Sequence, residues 1–280
     1  MRHFNINNSI ISVYDHGQGE PIVFLHSSAS NAGQWNGVFK HLPDTYRVIA
    51  PNLLGYGFSS AWSGPGHMRI ADEARNVIAL INRLGIRAHL VGHSFGGAVA
   101  MHIAKSNPCL LQTLTLIEPS AFNVLASGTA DDNKYHSEIL ALAQDVTEAV
   151  EARLYRAAAQ RFIDYWNGTG TFDAMPTERQ KSTCAAMTKV AMEFGALGAE
   201  PPFVTSVEDI DIPTLIIAGT RSPKSVRCIS RILNEKLKCA RHRTIANAGH
   251  MLPITHPVAV AEHLKDQFAK RDPGHIHRTA

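Results

Sequence analysis

His89-Leu90-Val91-Gly92-His93-Ser94-Phe95-Gly96-Gly97 decides the architecture, because it joins an apolar strand to a helix through a serine set among glycines. A bare Gly-x-Ser-x-Gly recurs by chance, but here a strand runs into the pattern and a helix runs out of it from Ala98 onward. A serine held on so sharp a turn has strained backbone angles, so its close neighbours must lack a Cβ. Gly92, Gly96 and Gly97 meet that need. The turn lifts the Ser94 hydroxyl above the carboxyl edge of a sheet. It also sets the next amide at a helix N-terminus, where developing negative charge is favoured.

Outward from this turn the chain alternates short apolar runs with amphipathic segments. Pro21–Leu25, Arg47–Ala50, His89–Val91, Leu114–Ile117 and Thr214–Ala218 are too short for helices and almost continuously apolar, as parallel strands buried on both faces are. Between Arg69 and Leu84, the residues Ile70, Ala74, Val77, Ile78, Ile81 and Leu84 recur three or four apart, and Gly85 follows as a stop. A further helix is expected from Phe95 to just before Pro108. Strand–helix alternation of this kind predicts a doubly wound α/β sheet.

The rhythm breaks after Ser120 and resumes at Ile212-Pro213. In between, Asp132–Trp166 and Pro176–Leu197 read as helical, Gly168-Thr169-Gly170 separates them, and Pro201-Pro202 closes the segment. Residues 1–120 and 209–280 are therefore expected to form the α/β core, with 121–208 as an inserted helical lid. The lid brings aromatic residues, among them Phe122, Phe162, Tyr165, Trp166 and Phe194, some of which must face the cleft and favour an apolar acyl or aryl group.

Composition excludes several classes. The 280 residues are 45% apolar and only 18% charged, which rules out disorder as the main state. A net charge of +3 is a poor footprint for nucleic acid. No stretch reaches the roughly 18–20 apolar residues of a membrane span, and Met1–Asn8 holds no signal-peptide core. Cys109, Cys184, Cys228 and Cys239 lack metal-ligand spacing and read as buried or idle thiols of a reducing compartment, so a cytoplasmic location is expected. His275 and His277 read as part of a frayed terminus, not as metal ligands. No metal and no organic cofactor is expected. The partner is a small-molecule substrate, and self-association as a homodimer is left open.

A serine nucleophile needs a base. His250 lies in Ala246-Asn247-Ala248-Gly249-His250-Met251, after the last strand candidate, Thr244-Ile245, and before a helix near His256-Pro257. From such a turn it could reach over the sheet edge towards Ser94. Four landmarks now stand in order: Leu25-His26-Ser27-Ser28, the loop Pro51–Ser59, the Ser94 turn and Gly249-His250. With these the chain resembles the α/β-hydrolase fold superfamily, in its serine esterase and carbon–carbon bond hydrolase branches, over nearly its whole length. The resemblance implies a mostly parallel sheet flanked by helices and a Ser-His-acid triad. It implies an oxyanion hole from the backbone N–H groups of Ser28 and Phe95, although Ser27 stands where the family usually has glycine. It makes His26 a brace for the loop and Asn52, in place of the family's Asp, a turn cap.

The acid departs from the family pattern. The position after the strand following the insert, where an Asp is common, is Ser222. Glu118, at the end of Leu114–Ile117 one strand earlier, is the expected substitute, since a Glu after a mostly apolar buried strand is costly unless paired. Asp209 and Asp211 read as a turn into the next strand. The function expected is therefore hydrolysis of a small or medium apolar carboxylic ester through an acyl-enzyme on Ser94, with His250 as base and Glu118 as acid. A carbon–carbon bond hydrolase of aromatic catabolism is the alternative within the class. A non-hydrolytic small-molecule receptor or signalling protein is the alternative outside it, kept alive by Ser222. The serine nucleophile sets the chain apart from the fold's dehalogenases and epoxide hydrolases, which attack with Asp.

Overall fold

The computed structural model describes residues 1–199 and 207–269. Pro201-Pro202 and the histidines at 275 and 277 lie outside the described residues. The strands are β1 (Arg2–Ile6), β2 (Ser9–His16), β3 (Glu20–Leu25), β4 (Tyr46–Pro51), β5 (Ala88–His93), β6 (Leu111–Ile117), β7 (Thr214–Gly219) and β8 (Ala240–Ile245). They form one sheet in the order β1-β2-β4-β3-β5-β6-β7-β8. From β4 to β8 all neighbours are parallel, while β1 and β2 add an antiparallel edge.

Side chains alternate across the sheet, so each central strand feeds two cores. On β3, Val23 and Leu25 join the core beneath α2 (Ile70–Asn82) and α3 (Phe95–Ser106), while Ile22 and Phe24 join the opposite one. That second core holds Trp35, Leu252, Leu264 and Phe268. It is covered by the short helices α1 (Asn36–Phe39) and α8 (Leu252–Thr255) and by α9 (Pro257–Phe268). Helix α7 (Lys224–Lys236) packs on β7 and β8. Burying each such aliphatic side chain contributes about 1.5–3 kcal/mol.

Between β6 and β7 a helical insert carries α4 (Ala130–Glu151), α5 (Tyr155–Asn167) and α6 (Thr177–Ala199). The stretch Asp132–Trp166 is helical as expected and divides into two helices. The chain breaks at Arg153, which takes φ 58°, without glycine or proline to announce it. The break after α5 is the one the glycines foretell, with Gly168 at φ 102° and Gly170 at φ 84°. Three polar contacts pin the insert to the core. Arg231 on α7 clamps both Asp132 oxygens at 2.9 and 2.7 Å, the Tyr165 hydroxyl meets Ser225 Oγ at 2.8 Å, and Lys189 Nζ donates to Glu73 Oε1 at 2.7 Å.

The β1–β2 hairpin and α7 were not anticipated. The hairpin turns on Asn7-Asn8 with φ 50° and 63°, and Asn tolerates that left-handed conformation better than most residues. Its strands are too polar to read as buried. All four cysteines are free thiols, as expected of idle ones, and none is buried. Among the described residues no helix is long and apolar enough to cross a membrane.

Candidate active site

Ser94 caps α3 at φ 54° and ψ −118°, a conformation that costs on the order of 1–3 kcal/mol outside glycine. The turn closes because backbone passes where neighbouring side chains would stand. A Cβ on Gly96 would lie 2.5 Å from the Leu25 carbonyl oxygen and 2.6 Å from that of His26. A Cβ on Gly92 would strike the Gly96 carbonyl. The strand-to-helix turn is thus jammed against β3, which aims the Ser94 hydroxyl out over the carboxyl edge of the sheet.

Three chain segments meet at that edge. His250, from the turn after β8, places Nε2 3.1 Å from Ser94 Oγ. Its other ring nitrogen, Nδ1, lies 2.7 Å from Glu118 Oε2. Glu118 ends β6 at φ 45°, a second strained residue beside the first, and is 1% exposed. Its remaining oxygen, Oε1, accepts hydrogen bonds from the Gly219 amide at 2.7 Å and from the Ser222 hydroxyl. Glu118 therefore projects into the space beside the position where the family pattern places an acid, and the serine found there binds it. Asp209 and Asp211 precede β7 at its amino end, on the opposite edge of the sheet from His250.

His250 is held from several sides. His93 donates from Nε2 to the His250 carbonyl at 2.9 Å, since a carbonyl only accepts. Burial, with the adjacent His250 ring, holds the His93 pKa well below the usual imidazole range, so it is neutral. The Trp166 indole stacks on the His250 ring at 4.7 Å between centroids. Ser120 Oγ lies 3.3 Å from Ser94 Oγ, a neighbour the sequence did not single out.

The loop after β3 is braced as expected of His26. Its Nδ1 donates to the Ser27 carbonyl at 2.8 Å, and its Nε2 accepts from the Leu53 amide at 3.0 Å. Burial lowers its pKa to about 4. Ser27 is accommodated where glycine is usual because its hydroxyl and amide both donate to Gln34 Oε1, at 2.8 and 3.2 Å. Asn52 Oδ1 caps the Ala32 amide at 2.7 Å. Ser28 and Ser94 line one small cavity. The Phe95 amide opens α3, where the first-turn N–H groups have no partner within the helix.

The walls of that cavity come largely from the insert: Phe122, Phe162, Trp166, Val190 and Phe194. Elsewhere in the insert, Phe172 is fully buried and Tyr155 is exposed. The charged wall residue that sequence reasoning missed is Glu193, which is 1% exposed. A signal existed, since Val190, Glu193, Phe194 and Leu197 repeat at the helical spacing of a buried face. Lys189 and Glu193 four apart instead look like a solvated ion pair. Among the described residues no cluster of three or more His, Cys, Asp or Glu is placed to hold a metal ion.

The comparisons with known proteins agree with this architecture. Residues 20–257 match the family described as alpha/beta hydrolase fold. The putative carbamate hydrolase RutD of Pantoea ananatis is 26% identical, over 85% of this chain and 84% of that protein. Among solved structures, the enol-lactonase of Burkholderia xenovorans LB400 superposes with a TM-score of 0.77 at 18% identity, covering 96% of this chain and all of that one. The meta-cleavage product hydrolase of Pseudomonas fluorescens IP01 gives 0.64 at 18% identity, covering 96% and 97%. The strained serine turn, the sheet order and the helical insert are features of one architecture, and the chain belongs to the alpha/beta hydrolase fold family.

Proposed function

We propose that the protein is a serine hydrolase of small carboxylic esters, with Ser94 as nucleophile, His250 as base and Glu118 as acid. The observation that carries this reading is the continuous hydrogen-bonded line Ser94 Oγ–His250 Nε2 and His250 Nδ1–Glu118 Oε2, at 3.1 and 2.7 Å. With Nδ1–H donating to the carboxylate, Nε2 carries the lone pair that takes the Ser94 proton as Oγ attacks the carbonyl carbon. The electron pair moves onto the carbonyl oxygen, which the Ser28 and Phe95 amides receive, each such donor contributing on the order of 3 kcal/mol. The imidazolium then protonates the leaving alkoxide. Water, deprotonated by the same ring, attacks the acyl-enzyme and frees Ser94.

The walls of the cavity are mainly apolar, which suits the acyl group of a small apolar ester. The 26% identity to a putative carbamate hydrolase supports hydrolysis at a carbonyl carbon. Residues 121–208 act in this reading as the lid that shapes the cavity.

Short-chain p-nitrophenyl esters and a fluorophosphonate probe test the proposal together. Ester turnover and labelling that both vanish in Ser94→Ala are the expected result. A folded wild-type protein that neither turns over esters nor takes the label overturns the hydrolase reading and leaves the receptor reading in its place.

A further inference from the structure

Glu193 is a carboxyl group without a use in the mechanism above, buried in the wall of the cavity that holds Ser94. Among the described residues no group stands in hydrogen-bonding geometry to either of its oxygens. Its nearest charged partner, the Lys189 ammonium 3.3 Å from Oε1, is an ion pair outside hydrogen-bonding geometry, so the carboxyl keeps acceptor capacity that a buried group ordinarily fills.

Neutralising Lys189 does not account for it. Lys189 Nζ already donates to Glu73 Oε1 at 2.7 Å and lies 3.2 Å from Met68 Sδ, with the Tyr56 and Phe95 rings around it. Glu73 is completed in turn by the Leu54 amide at 3.0 Å. Glu193 Oε1 stands off at 3.3 Å from the same ammonium. One cation thus serves two carboxyls, and the surplus one is the carboxyl that faces the cavity. Burial raises its pKa, against the pull of Lys189 and of the Ser28 and Tyr56 hydroxyls.

We propose that Glu193 sets substrate specificity, accepting a hydrogen bond from a neutral hydroxyl or amide N–H on the group that fills the cavity. Lys189 beside it repels an ammonium, so the donor is neutral. The remaining cavity walls are mainly apolar, and Ser28 on the same wall leads to the oxyanion site, so a substrate anchored at Glu193 sits with its carbonyl between Ser28 and Ser94. The favoured ester is therefore small and mostly apolar, with one donor. This inference rests on the serine hydrolase reading.

The test compares p-nitrophenyl esters in isosteric pairs: 2- and 3-hydroxybutanoate against 2- and 3-methylbutanoate, with 3-aminobutanoate as the cationic member. Wild type is expected to prefer the hydroxy member of at least one pair by about tenfold or more in kcat/KM, since a site built to bind a hydroxyl discriminates strongly against its absence. Glu193→Met should erase that preference, and Glu193→Gln, which keeps an acceptor oxygen, should retain part of it. The ratio within each variant is unaffected by how much of the protein is folded. Turnover of both members with a ratio unchanged in Glu193→Met, or a preference for the amino ester, overturns the inference and leaves the hydrolase standing. Absence of any turnover overturns the hydrolase and the inference with it.

Discussion

Replacing Glu118 by Gln changes one oxygen to NH₂ and almost nothing in shape, and the surroundings dictate which oxygen is lost. Oε1 accepts from the Gly219 amide and from the Ser222 hydroxyl. An NH₂ group there would face the Gly219 N–H donor, so the amide keeps its oxygen on that side and turns its nitrogen to His250. The nitrogen donates and requires a lone pair on Nδ1. The imidazole then carries its proton on Nε2, the atom 3.1 Å from Ser94 Oγ, where the mechanism needs an acceptor. Loss of the carboxylate also removes the charge that stabilises the imidazolium. The two effects together correspond to a fall of about 10⁴ in kcat, or roughly 5 kcal/mol of transition-state stabilisation. KM for p-nitrophenyl butyrate should move little, because Glu118 lies behind His250. The comparator is Ser222→Ala, which deletes one of two donors to Oε1 and should lower kcat only about three- to tenfold, the scale of one hydrogen bond. Steady-state kinetics with far-UV circular dichroism as a folding control read both. Near-full turnover by folded Glu118→Gln would refute the assignment, and a larger loss in Ser222→Ala than in Glu118→Gln would move the essential contact to Ser222.

Stability should fall on acidification from about pH 6.5 to 4. Burial holds His26 and His89 near pKa 4 against the ordinary 6.5, so in that window the unfolded chain binds protons that the fold refuses. Each 2.5-unit gap amounts to about 3 kcal/mol fully present above pH 6.5 and lost by pH 4, and a melting temperature flat over that range would contradict the neutral assignment. Gly96→Ala forces a Cβ against two β3-side carbonyl oxygens that cannot move independently, so the expected cost is about 1–3 kcal/mol or more, seen as a lowered Tm. Trp166→Ala opens the cavity wall and unstacks His250. It should shift acyl-chain preference from butanoate towards octanoate while lowering kcat, and an unchanged chain-length profile would show that Trp166 does not bound the acyl group.

The parallel strands, the serine turn and the insertion point are legible in the sequence because each rests on local physics. A strand buried on both faces must be almost continuously apolar, as Ile22–Leu25 is and as Leu114–Ile117 is apart from Thr115. A strained serine must have glycines at close approach, and a helical insert interrupts a strand rhythm. What escaped reading was polar or unpunctuated. The β1–β2 edge is half exposed, α4 and α5 part at Arg153 with no breaker residue, and Glu193 hides in an i, i+4 charge pattern that ordinarily faces water.

By itself the sequence determined that a serine would stand on a strand-to-helix turn, that a histidine would follow the last strand, and that Glu118 and Ser222 would end neighbouring strands. Only the tertiary structure decided how those strand ends meet. Parallel pairing of β6 with β7 sets Glu118 against Gly219 and Ser222, so one carboxylate oxygen is anchored by both and the other is free to meet His250. Packing of α6 on the core likewise decided that Lys189 would spend its charge on Glu73 and leave Glu193 facing the cavity. Hydrogen bonds and ion pairs between segments about a hundred residues apart depend on register and burial, and neither is written in the spacing of residues along one chain.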